Sequence, residues 1–201
     1  GGIAGGSLLA GTAIGGPIGA GIGALLGAFG GGGLGSLFGG SEPSRAINRQ
    51  FGFRDGQFRE LGGGSDEASD EQQEAFDKID RAVTQQLNAF AQSIPGTITD
   101  APDTIVSQTR REGTRAGRRG VDNEQQQEFD SLEDAINFAI GDTLRNAEFE
   151  GLNEDAREAL KRSLKLNDSD LQAVAEDVNF AQGFENRIEA LNKGVQSLSD
   201  T

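Results

Sequence analysis

The sequence predicts an all-α protein: a glycine-rich apolar helical segment followed by elongated or loosely bundled amphipathic helices. Three observations predict it. Glycines recur every fourth residue along an uncharged head, the apolar residues of the charged remainder fall at helical steps of three and four, and no segment alternates at period two for long enough to mark a strand. The change of character is abrupt, since residues 1–41 carry no charge and the first charged residue is Glu42. The chain therefore divides into a glycine-zipper apolar segment at 1–41, an Arg/Phe/Gly connector at 42–65 and an acidic helical region at 66–201.

In the head, Gly11, Gly15, Gly19, Gly23, Gly27, Gly31, Gly35 and Gly39 form consecutive GxxxG steps. Residues four apart share a helical face, so these glycines make a stripe without side chains along which another helix can approach closely. Ile18, Ile22, Leu25, Leu26 and Phe29 lie on the other faces. Each glycine costs a helix about 1 kcal/mol relative to alanine, so such a helix needs lipid or close packing against its own copies. Pro17 suits the first helical position and predicts a core from Pro17 to Phe29, with a break at Gly30 to Gly33. A hairpin and a straight span both fit. The length suits membrane entry, whereas the absence of Trp and Tyr leaves no aromatic belt, a combination that favours conditional insertion over permanent residence.

In the connector, Arg45, Arg49, Arg54 and Arg59 alternate with Phe51, Phe53 and Phe58, a mixture suited to docking on the body or to lying on a membrane surface. Ser69 with Gln72 reads as a capping box opening a helix over Asp70 to Ser93, with Phe76, Ile79, Val83, Leu87 and Phe90 on one face and Pro95–Gly96 as the stop. A second helix is predicted from Asn123 to Glu150, and a third capped by Asn153. A fourth opens with Ser169 and Gln172 and runs through Leu171, Val174, Val178, Ala181, Ile188, Leu191 and Val195, with Gly183 as a bend. The stripes are narrow and close to heptad spacing, which favours packing against copies or other subunits.

The 201 residues hold 18 Lys plus Arg against 32 Asp plus Glu, a net charge of −14, and no Cys, His or Met. Without Cys or His the chain has no disulfide, thiol nucleophile, histidine base or usual zinc or haem ligands. It also lacks a calcium loop of the D-x-D-x-D-G type. Carboxylates such as Asp77 with Asp80 or Glu154 with Asp155 are expected on solvent faces, so neither an enzyme nor a cofactor or metal site is predicted. The acidic balance disfavours wrapping nucleic acid. One basic patch, Arg110, Arg111, Arg115, Arg118 and Arg119, reads as a loop that a polyanion could order or that nearby carboxylates balance. The missing Met suggests part of a longer polypeptide.

The head GGPIGAGIGALLGAFGGGGLGSLFGG, joined to an acidic, Cys-free helical tail, resembles the C-terminal region of a tape measure protein from a tailed bacteriophage. The resemblance implies a virion protein inside the distal tail that sets tail length. On infection, its apolar segment would help form a channel for DNA through the host envelope. The implied partners are copies of itself as a trimer, the tail tube, distal tail and hub proteins, the host membrane during infection and the passing DNA. The absence of His and Cys departs from members that carry peptidoglycan hydrolase domains. A phage ejection protein stored in the virion and a bacterial glycine-zipper pore-forming or envelope protein are the alternatives.

Overall fold

The computed structural model describes residues 47–64, 70–109, 113–120, 126–166 and 170–199. Within them the protein is not all-α. A five-stranded antiparallel sheet of order β2-β1-β4-β5-β6 forms one layer, built from β1 (Ile47–Arg54), β2 (Gln57–Gly62), β4 (Thr104–Thr109), β5 (Gly113–Arg118) and β6 (Gln127–Phe129). Short strands β3 (Thr97–Asp100) and β7 (Glu148–Glu150) pair separately. The helices are α1 (Asp70–Ser93), α2 (Leu132–Arg145), α3 (Glu154–Leu166) and α4 (Leu171–Ser199).

The strands escape periodicity because their inward positions are poor in aliphatic residues. Thr104 and Val106 of β4 and Thr114 and Ala116 of β5 are buried on the helix-covered face, so the period of two is present but written in threonine and alanine. In β1 the inward positions are Arg49, Phe51 and Phe53, with a charge opening the run. Most of the connector is thus a β-hairpin. Asp55 and Gly56 join its strands with φ of 52° and 78°, and Arg54 opposes Gln57 directly. A two-residue turn with both φ positive matches the twist of the strands it joins, and Asp-Gly adopts it at low cost.

Phe51, Phe53 and Phe58 are buried where the hairpin meets α1, and Phe53 and Phe58 meet edge to face with centroids 5.1 Å apart. The outer edge of β2 is secured from α1: Asn88 Oδ1 accepts from the Phe58 N–H at 2.8 Å, and Asn88 Nδ2 donates to the Phe58 carbonyl at 2.9 Å. One side chain thereby satisfies both backbone groups that an edge strand leaves open.

Helix α1 has the span its capping and stop signals predict. The second helix is shorter than predicted: within the expected Asn123 to Glu150, residues Gln127–Phe129 and Glu148–Glu150 are strands. Its start is set by Ser131, whose Oγ accepts from the Asp134 N–H at 3.0 Å. It packs on β4, β5 and β6. Asn153 caps α3 as expected, accepting from the Ala156 N–H at 2.8 Å. The cap of α4 is Asp170, whose Oδ1 accepts from the Ala173 N–H at 3.0 Å; Ser169 lies outside the described residues. Helix α4 runs as one helix through Gly183 to Ser199. One core joins the sheet face to α1 and α2 and continues under α3 and α4.

Candidate assembly face

The apolar residues of α4 do not form one stripe. Leu171, Val174, Ala175 and Val178 are buried against α3 and the core, and two side chains further along tie the helix down. Asn179 Nδ2 donates to the Ser93 carbonyl at 2.8 Å, and Gln182 Oε1 accepts from the Asn153 N–H at 2.9 Å. From Phe184 onward, every residue whose exposure is described is exposed, on all sides of the helix. Phe184 itself borders a groove with Asp155, Glu158 and Arg162 of α3, and the 15 residues of α4 after it, about 22 Å at 1.5 Å per residue, project from the body.

This end of α4, from Phe180 onward, carries large apolar side chains. Phe180, Phe184, Ile188, Leu191 and Val195 are 65, 46, 43, 68 and 65% exposed, and the rings of Phe180 and Phe184 stack at 6.0 Å. The apolar sequence Leu171, Val174, Val178, Ala181, Phe184, Ile188, Leu191, Val195 steps by 3, 4, 3, 3, 4, 3 and 4. A step of three falls about 60° short of a full turn. Two such steps in succession, from Val178 to Phe184, swing the row off the face that meets α3. The helical spacing alone runs these residues together as one stripe without Phe180 and Phe184; the doubled step of three is the signal in the sequence that separates them.

Gly11, Gly15, Gly19, Gly23, Gly27, Gly31, Gly35, Gly39, Ile18, Ile22, Leu25, Leu26 and Phe29, with Arg110 and Arg111, lie outside the described residues. Arg115 is not in a loop but on β5, where its guanidinium meets Glu128 of β6 at 2.6 Å. Arg118 ends the same strand and contacts Asp142 of α2 at 3.3 Å, while Arg119 lies 3.8 Å from Asp103. Asp103 is also held by Arg54 at 2.6 Å. These cations stand in ion pairs that lace the sheet to its neighbours.

A cleft of about 370 Å³ between β3, β7 and α3 is lined by Arg145, Arg157 and Lys161 together with Glu148 and Phe149. Arg157 is occupied with structure, donating to the carbonyls of Leu152 at 3.1 Å and Phe149 at 2.9 Å. Among the described residues no group of His, Cys, Asp and Glu is arranged to hold a metal ion, and no helix is long and apolar enough to cross a membrane.

Neither a family model, nor a curated protein, nor a solved structure matches this chain.

Proposed function

We propose that this chain is a structural component of a tailed-phage virion, of the tape measure type, in which the apolar head acts on the host envelope and the folded body is the module that holds it in an assembly. The observation that carries the reading is the row Phe184, Ile188, Leu191 and Val195, exposed along the far half of α4 beyond the residues buried against α3. Such a surface is unfavourable in water, at about 25 cal/mol per Å² of apolar area, and a protein carries one where another protein covers it. The glycine stripe of the head supports the same reading from the sequence, as a second surface made for close helix contact.

The body is a sheet with helices on it, so it does not act as a rod filling a tube. In this proposal it is a compact module at the distal end of the tail, following the head in the chain. Antibodies raised against the body, applied to particles of the phage that encodes the chain, should mark the distal tail. Label at the portal would replace this reading with that of an ejection protein, and absence from particles would reject both. The full chain should also release dye from anionic liposomes; failure to do so removes the membrane step.

A further inference from the structure

We infer that the projecting half of α4 pairs with the same segment of a second copy of this chain, as a parallel two-stranded coiled coil. Phe184, Ile188, Leu191 and Val195 follow one another at steps of 4, 3 and 4, which is the seam of a heptad repeat. Phe184 and Leu191 take the d positions, and Ile188 and Val195 the a positions. β-branched residues at a with leucine at d favour two strands in parallel, rather than three or four. The row is narrow, Leu198 falls at the next d position, and from Phe184 onward the other residues are polar or small, as a seam between two helices requires and a lipid-facing surface does not.

Charge also fits a second copy. The projecting segment holds Glu185 and Glu189 against Arg187 and Lys193, so it is neutral in a chain of net charge −14. Two copies meet here without the repulsion that other faces of the body would bring. In a parallel pairing Arg187, at position g, lies beside the partner's Asn192 at position e, and no like charges oppose across the seam. A strongly acidic or basic partner finds nothing complementary.

The inference rests on the α4 row and not on the virion reading, and it is tested without reference to phage. The chain has no cysteine, so a single introduced thiol reports on its own partner. Leu191→Cys in the full chain should give a disulfide-linked dimer under mild oxidation, and Val195→Cys should do the same. Lys193→Cys, on the outward side of the pair, should remain largely unlinked. Because Leu191 and Val195 are exposed, these variants leave the core intact. Three outcomes would overturn the inference. The first is linkage of Leu191→Cys no faster than Lys193→Cys. The second is a yield that stops at two of every three chains, as a trimer dictates. The third is efficient linkage only between Phe184→Cys and Val195→Cys chains when mixed, as an antiparallel pair dictates.

Discussion

Arg49 of β1 and Asp80 of α1 meet at the sheet–helix boundary with Nε and Oδ2 3.1 Å apart, while the same guanidinium donates to Asp77 Oδ1 at 2.6 Å. The Asp80 contact is an ion pair without hydrogen-bond geometry, since neither Arg49 Nε nor Asp80 Oδ2 has a hydrogen-bond partner. The Asp80 side chain is 5% exposed, and burial, helped by the negative charge of Glu60 and Asp77, outweighs the pull of Arg49 and pushes its pKa up to about 7. The prediction from sequence that Asp77 and Asp80 sit on a solvent face is corrected for Asp80.

A pH dependence follows. In the unfolded chain an aspartate loses its proton near pH 3.9, whereas folded Asp80 keeps it to about 7. The folded state holds the extra proton in between, so this group's contribution to stability is fully present below the unfolded value and lost as pH rises through 7. Urea unfolding of wild type and Asp80→Asn from pH 4 to pH 8 checks it. The variant should gain stability relative to wild type as pH rises across that window, and a constant difference would show that Asp80 titrates normally.

Thr104 of β4 and Thr143 of α2 bridge sheet and helix through their hydroxyls at 2.7 Å, both fully buried. Thr143 donates its proton to the Ala139 carbonyl at 2.7 Å, so Thr104 is the donor of the bridge. Thr143→Val should strand the Thr104 hydroxyl and cost about 1–3 kcal/mol, because a buried polar group left unpaired bears its full desolvation penalty. Adding Thr104→Val should restore part of that loss. Simple addition of the two single-variant losses would contradict the bridge.

Two glycines with open space around their Cβ positions should respond in opposite directions. Gly56 has φ of +78°, so Gly56→Ala forces a side chain into the left-handed region at about 1 kcal/mol. Gly183 lies within α4, where Gly183→Ala should instead stabilise by about 0.5–1 kcal/mol through helix propensity. Thermal unfolding of the two variants measures both signs.

Helices were legible where the core stripe was aliphatic and the ends were signalled, as in α1 with its row from Phe76 to Phe90 and the stop at Pro95. The sheet was not, for reasons that differ by strand. β5 reads GTRAGR, whose buried residues are Thr114 and Ala116, too small and too polar to outweigh the arginines around them. The β1–β2 hairpin did leave a signal in Asp55–Gly56 between Phe53 and Phe58, which the four arginines of the connector obscured. At the assembly face the aliphatic positions were visible, but which of them the body covers depends on where the antiparallel α3 begins beneath α4, near Asn153 and Gln182, a tertiary fact.

The central claim is that the projecting half of α4 is covered by another copy of the chain, and hydrogen–deuterium exchange measured peptide by peptide over Phe184–Val195 tests it most directly. Exchange there should slow as the concentration of the full chain rises, and Leu191→Asp should abolish that protection while peptides holding the buried Leu87 and Phe90 of α1 stay protected. Exchange over Phe184–Val195 that is independent of concentration and unchanged by Leu191→Asp would contradict the account.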